Sequence, residues 1–318
     1  MRFPLAFLLV LLLPVGAQSA WPEQPVKVLM PFPPGGTVDV VTRLVCSEAS
    51  TILGKPLILD YRPGAAGIIA TEAAARAPAD GYTIVIATPN HTINPALRTK
   101  LPYDSERDFL PVSLIATVPE LLVAHPSVPF DDMQGFLRYA KANPGKLDYS
   151  SAGVGTLPHV TMEALLRLAD LKVTHIAYKG AAPALTDLLA GVVQLKYDTY
   201  ATSSQLLATG KLKVLATAGR KRLSQLPNVP TVAESGFPGY EGYLWIGALA
   251  PRGTPPEAVR SLSAALAKGV QAPAVVQRMR ADGVEIGGSS PEEFGRLIDA
   301  ELKRWAKVVA EAGITASD

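Results

Sequence analysis

The sequence predicts an α/β fold built in two blocks. Three observations predict it. Short apolar runs lead into glycine loops that open stretches of helical period, and this unit recurs along the chain. The recurrences gather into two blocks, roughly residues 22–120 and 125–235. Of the 318 residues, 48 % are apolar and 18 % charged, which permits a sizeable core and excludes global disorder.

Residues 1–20 read as a secretory leader. Arg2 is the basic start, Leu5 to Leu13 the apolar run, and Val15-Gly16-Ala17-Gln18-Ser19-Ala20 the small-residue cleavage region. The run is too short to span a bilayer, and no cysteine follows it to carry a lipid. The expectation is a soluble, exported, periplasmic chain cleaved near residue 20. Cleavage removes Arg2 and no acid, so the net charge falls from +2 to +1, 29 bases against 28 acids. That balance, without a run of Lys or Arg, excludes a polybasic surface for nucleic acid. Cys46 is the single cysteine, so no intramolecular disulfide forms; it reads as a small apolar residue of the first helix.

The first unit organises the rest. Val26 to Met30 is a strand, and Pro31-Phe32-Pro33-Pro34-Gly35-Gly36-Thr37-Val38-Asp39 is a rigid loop running into a helix. Three prolines stiffen the loop, and two glycines let the backbone turn with its amides uncovered. Thr37 is the expected N-cap, and Asp39 sits in the first turn, where the helix dipole favours a carboxylate. Such a loop is an anion site or an ordinary strand–helix turn. Val41, Leu44, Val45, Ala49 and Ile52 form the helix face, and Gly54 ends it. Leu57-Ile58-Leu59 is the next strand, Arg62 to Gly67 a second glycine loop, and Thr83 to Ala87 a buried β-branched strand. These units predict parallel pairing.

Apolar runs follow at Val112–Ala116 and Leu121–Ala124, then a helix opening at Phe130-Asp131-Asp132. The second block places strands at Leu147–Ser151, Val173–Tyr178, Gln194–Tyr200 and Val214–Thr217. Its glycine loops are Ala152-Gly153-Val154-Gly155-Thr156 and Lys179-Gly180-Ala181-Ala182-Pro183. Leu244 to Ala250 is a late strand. Three helices close the chain, with capping boxes at Thr254-x-x-Glu257 and Ser290-x-x-Glu293. The last carries Phe294, Leu297, Ile298, Trp305, Val308 and Val309 as a stripe expected to close the first block.

Several catalytic patterns fail. Gly153-Val154-Gly155-Thr156-Leu157-Pro158 has proline where a dinucleotide loop needs its third glycine, and Tyr178-Lys179 stand where the ribose-binding acid belongs. No phosphate-binding GK[ST] loop or H-E-x-x-H occurs, and His91, His125, His159 and His175 lie far apart. Tyr149 spoils a serine-nucleophile elbow at Ser150-Ser151. What remains is two helix starts of the same kind, Gly35-Gly36-Thr37 and Gly155-Thr156, one per block. If the blocks face each other, the two could hold a carboxylate between them. His159 in the first turn is a ligand donor or a packing residue. Lys179 supplies charge or is solvated. Asp198 receives a ligand amine or hydroxyl, or caps the next turn.

In ordered combination these stretches resemble one family, the Bug-type periplasmic solute receptors of tripartite tricarboxylate transporters. The resemblance runs through Pro31–Gly36 with Asp39 and Arg43, Arg62–Gly67, Ala79–Thr83, Leu101–Asp104, Ser151–Thr156 with His159, Tyr178–Gly180, Pro183–Leu189, Leu226–Thr231, Ala250–Pro251, Gly253–Pro255 and Arg304-Trp305. It implies a two-lobed periplasmic-binding-protein (Venus-flytrap, type II-like) fold with two crossing hinge strands near Pro119–Ala124 and Gly242–Ala248. Lobe 1 would comprise residues 21–121 and 243–318, and lobe 2 residues 122–242. The implied role is to bind a small carboxylic acid (dicarboxylate, amino acid or aromatic acid) in the cleft and deliver it to the transporter's membrane components. No cofactor, metal or enzymatic activity is implied, and the expected state is a monomer. A sensor for a signalling system, or an exported enzyme in the same cleft, are the alternatives. Carried over, the ligand-binding positions are Phe32, Pro34, Gly35, Gly36, Thr37, Asp39, Ala65, Gly153, Gly155, Thr156, His159, Lys179 and Asp198. The sequence departs from the family at Ala66 and Ala70, where many relatives have glycine, and at Lys196-Tyr197, where an apolar or aromatic pair is common.

Overall fold

A computed structural model describes residues 21–315; the expected leader at 1–20 lies outside the described residues. In the first block, β1 (Val26–Met30), α1 (Thr37–Leu53), β2 (Leu57–Tyr61), α2 (Ile68–Ala75), β3 (Thr83–Ala87) and α3 (Asn90–Leu97) follow one another. β2 and β3 flank β1, both parallel to it. The apolar run that predicted β1 is buried on both faces, with Val26, Val28 and Met30 on one and Leu29 on the other. A parallel strand buried on both faces reads as a near-continuous apolar run.

The two apolar runs expected at Val112–Ala116 and Leu121–Ala124 are one strand, β4 (Phe109–Ala124). Its register shifts three times, between Pro111 and Ser113, between Leu114 and Ala116, and between Leu122 and Val123, and such irregularities let a long strand bend. Beyond it come α4 (Met133–Ala142), β5 (Asp148–Ser151), α5 (Leu157–Leu168), β6 (Thr174–Ala177), α6 (Ala181–Leu189), β7 (Leu195–Thr199), α7 (Tyr200–Ala208) and β8 (Lys213–Thr217). The chain then returns through β9 (Tyr243–Pro251), followed by α8 (Pro256–Val270), α9 (Pro273–Ala281), β10 (Glu285–Ile286) and α10 (Pro291–Ala312). The strand order is β2-β1-β3-β9-β4-β7-β5-β6. The expected parallel pairing holds inside each block, but β9 is antiparallel to both β3 and β4, and β7 and β8 are antiparallel to β4.

β4 therefore serves two cores. Its first half pairs with β9 and packs Val112, Ile115 and Val118 into the first core; its second half pairs with β7 and β8 and packs Leu122 and Ala124 into the second. Cys46 is buried in the first core, where desolvation pushes its thiol up to about 12 and leaves it a small hydrophobe.

Local capping rules succeed once and fail twice. Ser290 and Glu293 form the complete capping box of α10. Thr254 instead donates to the Pro251 carbonyl, and Pro255 takes the N-cap of α8. Thr37 is not the N-cap of α1; Gly36 is, and the Thr37 hydroxyl bonds Thr199 in the other block. α10 also does more than close the first block. Phe294 and Ile298 pack beside Trp245, while Trp305 and Val309 pack on Leu157 and Val160 of α5. Glu301 accepts the indole N–H of both Trp245 and Trp305, at 3.3 and 2.8 Å, and fixes the helix where the two halves meet.

Candidate functional site

A cavity of about 100 Å³ lies between the blocks. A water needs about 10–15 Å³ on this measure, so the cavity admits a ligand of roughly seven to ten heavy atoms. Its walls are the starts of α1, α5, α6 and α7, with Asn90 of α3 and Leu244 of β9. Each helix start turns its partial positive charge towards the cavity.

The first loop does part of what its sequence suggested. The Gly35 amide is already taken; it donates to Asp39 Oδ2 at 2.9 Å. Arg43 and Tyr61 hold the other oxygen of Asp39. Burial alone would raise the Asp39 carboxyl, but the bonds from Tyr61 and Gly35 and the Arg43 guanidinium together hold it below the usual range. The next amides, of Gly36, Thr37 and Val38, find no acceptor among the described residues. They are the uncovered donors of this loop.

The second loop is built alike and ends differently. The Gly155 amide donates to His159 Nδ1 at 3.2 Å, again four residues along. Thr156 N–H goes to the Gly153 carbonyl, and Leu157 N–H reaches Asn90 Oδ1 across the cavity at 3.3 Å. Pro158 has no N–H to offer. His159 packs against His175 with the rings tilted by 30° and their centroids 4.2 Å apart, and burial lowers both rings, to about 4 and about 3. On the cavity's far wall it is α6 that faces α1. The Gly36 Cα carries no side chain, and a Cβ there would lie 3.9 Å from Ala181 Cβ. The amides of Ala181 and Ala182 have no acceptor among the described residues.

The cavity is closed over by contacts between blocks. Thr37 Oγ1 and Thr199 Oγ1 are 2.7 Å apart, and Pro33 packs against Gly180. That last contact separates the cavity from a neighbouring pocket at the cleft mouth. The structure brings Phe32, Pro34, Gly36, Thr37, Asp39, Thr156 and Asp198 to the main cavity, and Ala65, Gly153 and Lys179 to the mouth pocket, where Lys179 is exposed. Gly35, Gly155 and His159 line neither pocket. Ala65 and Ala66 both adopt left-handed backbone, φ 48° and 53°, strain of the kind that collects at functional loops.

Sequence reasoning did not select Glu120, Lys196 or Asn90, all of which line the cavity. Lys196 Nζ lies 2.9 Å from Asp198 Oδ1, both side chains buried. Asp198 also accepts from Thr202 and Ser203 in the first turn of α7. Glu120 is buried at the point where β4 passes from one core to the other. Burial, with Asp198 adding, drives its carboxyl up to about 8 against the influence of Thr161 and Lys196. One acid inside the run Val118 to Ala124 was the available signal for Glu120, and an unexpected lysine before Asp198 the signal for Lys196.

Comparison with known proteins bears on this geometry. The family model for the tripartite tricarboxylate transporter family receptor matches residues 41–314. Protein BugT of Bordetella pertussis is 32 % identical over 302 residues, 94 % of this chain and 92 % of that protein. A protein encoded in the tcbD-tcbE intergenic region of Pseudomonas sp. (strain P51) is 37 % identical over 300 residues, 94 % of this chain and 89 % of the relative. Among solved structures, an R. palustris protein with adipate superposes with a TM-score of 0.89 at 38 % identity, covering 93 % of this chain and 99 % of its own. MatC from Rhodopseudomonas palustris with bound malate gives 0.86 at 32 %, covering 91 % and 100 %. The periplasmic binding protein BugD gives 0.88 at 32 %, covering 93 % and 99 %. The fold is that of the periplasmic binding proteins.

Proposed function

We propose a function from one premise: this chain belongs to the tripartite tricarboxylate transporter receptor family. It is an extracytoplasmic receptor that closes on a small carboxylic acid and hands it to the membrane components of such a transporter. Lobe 1 (21–121 with 243–318) and lobe 2 (122–242) are the two jaws, and β4 and β9 the strands on which they turn.

One observation carries the reading. Uncovered amides at the start of α1 and uncovered amides at the start of α6 line the same interlobe cavity. A carboxylate between them accepts charge-assisted hydrogen bonds of about 1.5–3 kcal/mol each. Micromolar binding needs about 8 kcal/mol, so three or four such bonds suffice after the cost of association. The prolines before Gly35 hold the loop in place beforehand, which reduces the ordering that binding must supply. The relatives solved with adipate and malate support a carboxylate ligand.

The test is a thermal-shift panel of mono- and dicarboxylates, amino acids and aromatic acids on protein refolded free of ligand. At least one acid should raise the melting temperature by several degrees. If none does, the ligand class is wrong.

A further inference from the structure

We infer that Lys196 occupies the place at Asp198 that a ligand's amino group would take, so that the inner end of the cavity accepts a second carboxylate and turns amino acids away. This rests on the reading that the cavity binds a small carboxylic acid. Lys196 is 2 % exposed and Asp198 6 %, and both line the cavity. A lysine is seldom so buried without a specific partner. Its ammonium reaches Asp198 Oδ1 at 2.9 Å and the Tyr197 carbonyl at 3.1 Å. Thr202 donates to the same Asp198 oxygen and Ser203 to the other. Both carboxylate oxygens are engaged before a ligand arrives. An incoming ammonium would find the oxygen nearest the cavity lysine already shared by Lys196 and Thr202, only one further site on Oδ2, and a like charge beside it.

What the inner end offers instead is donors. An ammonium carries three N–H groups, and Lys196 gives one to the Tyr197 carbonyl while pairing with Asp198 as an ion. Glu120, 3 % exposed, lines the same cavity, and its Oε2 has no partner among the described residues. With its carboxyl raised to about 8 by burial, Glu120 holds its proton at neutral pH and sets no negative charge against a ligand carboxylate. A ligand carboxylate pairs with the Lys196 ammonium and meets no charge at Glu120. A methyl terminus leaves that ammonium unanswered, and a ligand ammonium opposes it.

Isothermal titration tests this on the ligand-free chain with ligands matched in length: glutarate and adipate, valerate and hexanoate, 4-aminobutyrate and 6-aminohexanoate. Wild type should bind the dicarboxylates about 10- to 100-fold more tightly than the monocarboxylates, the worth of one charge-assisted bond, and the amino acids not measurably. Lys196→Met should lose that preference and gain the amino acids, because Asp198 is then open. Such a gain cannot arise from misfolding. Should Lys196→Met fail to fold, Lys196→Met/Asp198→Asn removes both charges and should erase discrimination in both directions. Wild-type binding of amino acids on a par with dicarboxylates, or an unchanged dicarboxylate preference in either variant, would overturn the inference and leave the receptor reading standing. If no acid binds wild type, both fall.

Discussion

The loop of Pro33–Asp39 and the loop of Gly153–His159 look alike in sequence and are alike in one hidden respect. In each, the glycine amide that promised an anion site is held by a side chain four residues on, Asp39 for Gly35 and His159 for Gly155. They part immediately afterwards. The first loop leaves Gly36, Thr37 and Val38 uncovered; the second spends Thr156 and Leu157 on protein acceptors and has proline next. A glycine-rich helix start is thus a shape before it is a site. Whether its amides remain for a ligand depends on which nearby acceptors the fold supplies.

The largest expected effect would break the first loop where it is open. Gly36→Val sets a branched side chain over the uncovered amides and against Ala181, and ligand affinity should fall at least about 100-fold by titration. Gly155→Val sharpens the contrast. Gly155 has φ +78° and its Cβ would lie 3.3 Å from Leu97, so the cost falls on folding, about 1–3 kcal/mol, read as a melting temperature a few degrees lower. Affinity should change less than about tenfold, since that amide already serves His159. Equal losses of affinity in both variants would erase the distinction.

Acid separates the loops as well. His159 and His175 titrate near 4 and 3 when folded, below the usual value near 6.5, so their contribution is complete above pH 6.5 and is lost as pH falls towards 4. Each costs up to about 1.4 kcal/mol per pH unit in that window. Protonation also turns His159 Nδ1 into a donor and frees Gly155, whereas Asp39 keeps its charge below the usual carboxylate range. Glu120 works in the opposite sense. Its raised value makes its contribution complete below the unfolded pKa near 4.5 and lost as pH rises through 8. Melts of Glu120→Gln without ligand should therefore fall more steeply than wild type towards pH 4 and less towards pH 8. Parallel curves would discount the Glu120 assignment. The smallest effect is Arg43→Met. It strips an exposed partner from Asp39, and stability should change by about 0.5 kcal/mol or less, with affinity within about twofold.

What was legible in the sequence follows the range of each interaction. Alternation and helical period act over a few residues, so β1, α1 and the Ser290 box were readable. Thr37 was misassigned as a cap because its partner, Thr199, lies 162 residues away. α10 was assigned to one block because its stripe does not say that Leu157 and Val160 receive its second half. Glu120 and Lys196 stood in plain view as charges within strands. Their importance comes from burial at the meeting of two cores, which no local pattern encodes.

The placement of β9 has a consequence for how the chain is made. The seat between β3 and β4 belongs to a strand that emerges only after the whole of residues 125–242. Until then the first core is a sheet with a gap at its centre, two unsatisfied strand edges facing each other and α8 and α10 not yet synthesised. A nascent chain can complete its second core early and its first core only at the end. Truncation before Tyr243 should therefore yield not a smaller folded protein but an open-edged one, prone to pair with its neighbours.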